Sequence, residues 1–232
     1  MGRISRTKAG RGVYHVYNRA LNSAWILSAS QERDKFLQIL AGHLKKYPLM
    51  IHHYCIMSDH FHLVIAGEMQ DISAFVGGCS SVYSKFWHYG HAGSGPVWQG
   101  RFRSILVQKE LYLNRLGRYV EQNPLRAGMG NLSKAEDYKW SSAAAYVSGM
   151  PDLLIDPKNH PYRRNWGETN DECRKNYAEY LRMAEPDDTS FFEGMEICIG
   201  DGKFKASVAS LNGRIQIRRG RPSRNNININ DL

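Results

Sequence analysis

Residues 49–57 and 60–66 are two runs of β-branched, aromatic and long apolar residues, and only Ser58 and Asp59 stand between them. A link of two residues is too short to carry the chain back to the start of a parallel neighbour. The two runs are therefore expected as antiparallel strands joined by a tight turn. Upstream, residues 12–19 are rich in aromatic and β-branched types and read as a first strand. From Ser30 to Lys46 the apolar residues Phe36, Leu37, Ile39, Leu40 and Leu44 recur at helical spacing, with Ser30 as N-cap and Pro48 closing the segment. Downstream, Ile72, Phe75, Val76, Cys79, Val82, Tyr83 and Phe86 mark a helix from Asp71 to about His88.

Past a glycine-rich loop, Val97 to Gln108 reads as a strand with Arg101 and Arg103 on one face and Phe102 on the other. Residues 109–123 read as a helix stopped by Pro124. The order β-α-β-β-α-β-α predicts an α+β fold, a ferredoxin-like antiparallel sheet of four strands with helices on one face. The last helix is an addition to that plan. Beyond Gly130 the pattern changes, and a mostly helical C-terminal extension is expected. It comprises a helix over Asp171–Ala184 and a pair of short helices over Ser190–Ile199 and Lys203–Leu211. The chain thus divides into a basic arm (1–11), a main domain (12–150), the extension (151–212) and a tail (213–232) without periodicity.

Charge is distributed unevenly. The net +9 comes almost wholly from the two ends. Residues 1–12 carry four bases and no acid, and residues 213–232 carry five arginines against Asp231, leaving 22 bases and 21 acids between them. Basic tails on a neutral body suit a polyanion. Within the body, residues 97–128 hold Arg101, Arg103, Lys109, Arg115, Arg118 and Arg126 against Glu110 and Glu121, a local surplus of four. Cys55, Cys79, Cys173 and Cys198 stand far apart with no C-x-x-C pair, which points to a reducing compartment, the cytoplasm. No apolar run approaches the ~20 residues of a membrane-spanning helix, and no signal-peptide core is visible.

Two groups of residues can carry chemistry. His60 and His62 alternate with Phe61 on a strand, so both imidazoles share one face and supply half of a divalent metal site. Tyr119 and Asn123, four apart, share the margin of a helix whose buried stripe is Leu113, Leu116 and Val120. A zinc site remains an alternative, with His52 and His53 near in sequence but on the preceding strand.

His60-Phe-His62, then Gln99-Gly-Arg-Phe, then Arg118-Tyr-Val-Glu-Gln-Asn-Pro-Leu-Arg-Ala-Gly128 resembles the REP-associated tyrosine transposases of the single-tyrosine HUH superfamily, over roughly residues 10–150. The resemblance implies a metal-dependent nuclease and strand transferase that cuts single-stranded DNA at hairpin-forming palindromic repeats. It implies Tyr119 as nucleophile, joined to the 5′ end of the DNA, and Mg²⁺ or Mn²⁺ held by His60, His62 and Asn123. A hairpin-binding protein without cleavage activity is the alternative. Arg101, Arg103, Arg118 and Arg126 would contact DNA, in a monomer or dimer working in the cytoplasm on the nucleoid. Many relatives carry histidine where Glu121 stands here, and an acid so near the substrate path is unexpected. The tail's Arg219-Gly-Arg-Pro222 resembles an AT-hook core, in which Arg219 and Arg221 would enter the minor groove.

Removing residues 213–232 deletes five arginines and no part of this constellation. If those arginines neutralise about three to five phosphates, the slope of log K against log salt should fall by about 2 to 4. An unchanged slope in a salt titration of DNA binding would show that the tail makes no phosphate contact.

Overall fold

The computed structural model describes residues 10–183, 192 and 197–211. Residues 1–9 of the basic arm and the tail, with Arg219 and Arg221, lie outside the described residues. Strand β1 (Arg11–Arg19) leads to α1 (Ser30–Leu44), then to the hairpin β2 (Met50–Ile56) and β3 (His60–Glu68). Helix α2 (Met69–His91), β4 (Arg103–Val107), α3 (Lys109–Glu121) and the short α4 (Asn123–Arg126) follow. The extension adds α5 (Ala143–Ser148), α6 (Asn170–Arg182), β5 (Cys198–Ile199) and α7 (Gly202–Leu211).

The sheet order is β2-β3-β1-β4-β5. The first four strands pair antiparallel in the ferredoxin-like order, and β5 joins β4 in parallel. Strand β5 corrects the end of the expected helix over 190–199, in which Phe192 is helical. Cys198 and Ile199 instead extend the sheet edge, because β4 has backbone groups to pair and Leu106 N–H donates to Ile197 O at 3.0 Å. β4 is also shorter than the run from Val97 suggested. Residues 97–102 make a loop in which Val97 and Trp98 are buried while Arg101 is exposed.

Alternation along the strands gives two cores. On one face Tyr14, Val16, Phe61, Leu63 and Ile65 pack against Phe36 and Leu40 of α1 and Ile72, Phe75 and Tyr83 of α2. On the other, Val13, Val64, Ile105 and Val107 pack against Leu113, Leu116 and Val120 of α3. The added helix therefore lies across the sheet from α1 and α2, on the face toward which His60 and His62 point. Pro124 does not simply stop α3. It occupies the first turn of α4, where its missing N–H has no helical partner to lose.

The extension grips α3 as much as it covers the sheet edge. Gln122 Nε2 donates to Leu181 O at 2.6 Å, and the Arg118 guanidinium lies 4.5 Å from the Tyr180 ring centroid. Gly117 permits the close approach of α3 to β2, since an added Cβ would sit 2.5 Å from His53 Cε1.

Leu116 is fully buried between α3 and the sheet, whereas Leu111 on the same helix is 59 % exposed. Leu116→Ala should lower the unfolding free energy by about 2–5 kcal/mol, and Leu111→Ala by no more than ~0.5 kcal/mol. Urea denaturation of both variants measures the contrast, and equal losses would show that α3 is not packed as described.

Candidate active site

His62 is buried on β3, and His60 stands two residues before it at the edge of the sheet face. Their ring centroids are 5.1 Å apart. Strand alternation puts Phe61 between them into the opposite core, where it packs on Phe36 and Trp98. Tyr119 comes down from α3 with its ring edge-on to His62 at 6.1 Å between centroids. Tyr119 is only 6 % exposed, because Phe192 lies 5.0 Å from its ring centroid and the Arg126 guanidinium covers it at 4.6 Å.

Both histidines have one ring nitrogen engaged. His60 Nδ1 meets the Asp59 carboxylate at 2.5 Å, and His62 Nδ1 meets Nε2 of His15 on β1 at 2.9 Å. The Nε2 atoms are the ones left for a ligand. Burial holds His62 well below the usual imidazole range and pushes His15 down to about 3. His60 is lowered by burial too, with Asp59 opposing. All three are neutral at neutral pH, the form in which imidazole binds a metal ion.

Among the described residues, no three His, Cys, Asp or Glu side chains form a metal cluster. A divalent ion would rest on the two Nε2 atoms and on a further oxygen donor. Asn123 is placed for that role by sequence separation from Tyr119, but no contact joins it to the histidines. Its Nδ2 donates to Tyr119 O at 3.1 Å and to Val120 O at 3.2 Å, which turns the amide nitrogen onto the helix and leaves Oδ1 as the available atom. The paired histidines with carboxylate and imidazole partners behind them fit a divalent ion.

The arginines sort by position. Arg103 pairs with Tyr17 of β1, which itself pairs with His62, so an exposed guanidinium stands on the histidine face. Arg101 is exposed in the adjoining loop. Arg126 donates from Nη2 to Tyr119 O and from Nη1 to Gln122 Oε1 at 3.3 Å, bracing the tyrosine while remaining at the surface. Arg118 is a correction. It is 1 % exposed beneath Tyr180, out of reach of a phosphate, because α6 covers that side of α3.

Glu121 does not face the site. Two residues beyond Tyr119 on a helix is a rotation of about 200°, so the carboxylate turns toward β2. It lies fully buried, with His53 Nδ1 at 2.9 Å and Ser142 Oγ at 2.5 Å from Oε1, and with the Tyr177 hydroxyl at 2.7 Å from Oε2. The proton positions follow from one backbone amide. Tyr162 N–H donates to His160 Nδ1 at 3.2 Å, so neutral His160 carries its proton on Nε2 and gives it to His53 Nε2, 3.2 Å away. His53 then carries its proton on Nδ1, toward Glu121. His52 and His53 thus belong to this network and its neighbourhood rather than to a zinc site with His60 and His62. Sequence reasoning missed the network because its members come from five separate segments. It also missed His15, whose one signal was a strand position two residues from Tyr17.

The family model of IS200-like transposases matches residues 10–123. Residues 10–123 are thus similar to the IS200-like transposases. That segment runs from β1 through the tyrosine helix to Asn123 and contains both histidines. A solved REP-associated tyrosine transposase bound to a REP hairpin shares the fold, at 18 % identity and a TM-score of 0.53, over 66 % of this chain and 90 % of that one. A transposase of Deinococcus radiodurans R1 is a more distant structural match, at 16 % identity and a TM-score of 0.36, over 52 % of this chain and 97 % of that one. No curated protein matches the sequence. Among the described residues of the domain and its extension, no helix is long and apolar enough to cross a membrane.

Burial pushes the Glu121 carboxyl up to about 8, with the Ser142 and Tyr177 hydroxyls opposing. An unfolded glutamate loses its proton near its ordinary pKa, while the folded one holds it until about pH 8. Stability contributed by this group is therefore full at acid pH and falls as pH rises through that window. Glu121→Gln keeps an amide in the network and cannot ionise. Its stability relative to the parent protein should rise from pH 5 to pH 8 by on the order of a few kcal/mol. Histidine contributions are common to both proteins and largely cancel. Parallel melting-temperature profiles across that range would exclude a buried titrating Glu121.

Proposed function

We propose that this protein is a metal-dependent endonuclease and strand transferase that cuts single-stranded DNA at hairpin-forming palindromic repeats. The observation that carries the reading is Tyr119 standing beside His62, with His60 next to it on the same face. A phenol beside paired imidazoles can serve as the nucleophile, and imidazoles with Nε2 atoms available suit phosphate chemistry.

His60, His62 and the Asn123 Oδ1 would hold Mg²⁺ or Mn²⁺, which when bound supplies Lewis-acid polarisation of the scissile phosphate. Tyr119 attacks phosphorus in line with the departing 3′ oxygen. The Tyr119 oxygen–phosphorus bond forms as the bond to the 3′ oxygen breaks. The phenol gives up one proton and the leaving 3′ oxygen takes one, so the step is balanced. The product is a 5′-phosphotyrosine ester that retains the energy of the phosphodiester, and rejoining to another 3′-hydroxyl needs no nucleotide cofactor. Arg101, Arg103 and Arg126 surround this face as partners for backbone phosphates, which position a strand without reading its sequence. One chain supplies both the histidines and the tyrosine, which supports a monomer as the working unit. The REP hairpin bound by the structural relative supports hairpin DNA as substrate here, on the nucleoid in the cytoplasm.

A second reading has its own observation. Phe192 and the Arg126 guanidinium pack on the Tyr119 ring, which is 6 % exposed, so DNA reaches it only through a local rearrangement. Permanent shielding would leave a hairpin-binding protein that does not cut.

Incubation with a hairpin oligonucleotide and Mn²⁺, followed by a denaturing gel, separates the two. Cleavage predicts a covalent protein–DNA band that Tyr119→Phe abolishes without loss of hairpin affinity. His60→Ala and His62→Ala should reduce the band at least ~100-fold at limiting metal, since each removes one of few ligands. Retained adduct in Tyr119→Phe would move the nucleophile elsewhere, and absence of any adduct from the parent protein selects the binding-only reading.

A further inference from the structure

The mechanism above leaves unused the buried imidazole that touches His62. His15 lies on β1 opposite Val64 of β3, diagonal to the Tyr17–His62 pair. It is 2 % exposed. Its ring lies edge to edge with that of His62, with centroids 5.1 Å apart and planes at 19°, and Tyr119 stands edge-on to it at 6.3 Å. The two histidines meet through His15 Nε2 and His62 Nδ1, 2.9 Å apart.

A neutral imidazole has one N–H and one lone pair. His62 can present its Nε2 lone pair to an ion only while its proton is on Nδ1, and a buried Nδ1 proton needs an acceptor. The atom in front of it is His15 Nε2. His60 has the corresponding arrangement, with the Asp59 carboxylate taking its Nδ1 proton. His15 Nδ1, in turn, is buried without a hydrogen-bond partner among the described residues. His15 therefore passes nothing on to a wider network, and its one polar contact is with His62.

We propose that His15 is a positioning residue: its Nε2 accepts the Nδ1 proton of His62, fixing the tautomer and ring plane in which His62 Nε2 faces the ion. This inference rests on the metal-dependent reading above. Two strands that are hydrogen-bonded neighbours thus hold one ligand from behind, while the turn at Asp59 holds the other.

The test uses the full chain. His15→Phe keeps an aromatic ring in that place and removes the acceptor nitrogen, and His15→Gln returns an acceptor oxygen near the place of Nε2. Mn²⁺ affinity is read by electron paramagnetic resonance titration without DNA, and thermal melting in chelator reports the fold. His15→Phe should weaken Mn²⁺ binding about 10–100-fold, the usual loss when a partner behind a ligand is removed. It should raise by the same factor the Mn²⁺ needed for half-maximal adduct formation, with a smaller change in rate at saturating Mn²⁺. His15→Gln should recover to within about threefold of the parent. If His15→Phe melts early, the smaller His15→Leu replaces it in the same comparison. Parent-like Mn²⁺ affinity in the folded Phe or Leu variant would overturn the role, as would His15→Gln being equally weak while melting normally. A parent protein that neither binds Mn²⁺ nor forms adduct overturns the proposed function itself, an outcome distinct from either of these.

Discussion

Antiparallel pairing of β1 with β3, in the register that sets Tyr17 opposite His62, is the constraint on which the site depends. Strand side chains alternate faces, so a slip of one residue in that pairing would exchange the histidine face for the Phe61 face. Burial on both sides prevents it. Phe61, Leu63 and Ile65 must meet α1 and α2, and Val64 must meet α3. With the register held by two cores, His15, His62 and Arg103 fall on adjoining strands of one face with no loop needed to bring them together.

Helix α3 then brings Tyr119 to that face and is itself fixed from both ends of its circumference. Leu113, Leu116 and Val120 seat it on the sheet, while Glu121, Arg118 and Gln122 are taken up by β2 and the extension. A buried carboxyl is costly unless its oxygens find partners. Here His53, Ser142 and Tyr177 meet the two oxygens, which makes the helix position specific rather than merely stable. The placement of Tyr119 therefore depends on residues of the extension packed on the other side of the helix.

Much of this was legible in the chain. A two-residue link between apolar runs requires a hairpin, and the alternation of His60, Phe61 and His62 places both imidazoles on one side. Helical spacing in 109–121 marks the stripe that seats α3. Less legible was the role of charged residues. Arg118 and Arg126 look equivalent in a basic segment, yet one is sealed under Tyr180 and the other stays at the surface, because only α6 decides which side of α3 is covered. Glu121 looked like an acid in the substrate path and lies instead on the opposite side of the helix from Tyr119.

What the sequence determined by itself is local: periodicity, the hairpin, the order of elements, and hence the sheet order that short connections allow. Sequence resemblance named the tyrosine and the histidine pair. Only the tertiary structure decided which face α3 occupies, that Cys198 and Ile199 extend the sheet, and that His15 stands behind His62. The physical reason is common to all three. Each depends on contacts between segments far apart in the chain, where burial and hydrogen-bond satisfaction select a partner that no local pattern specifies.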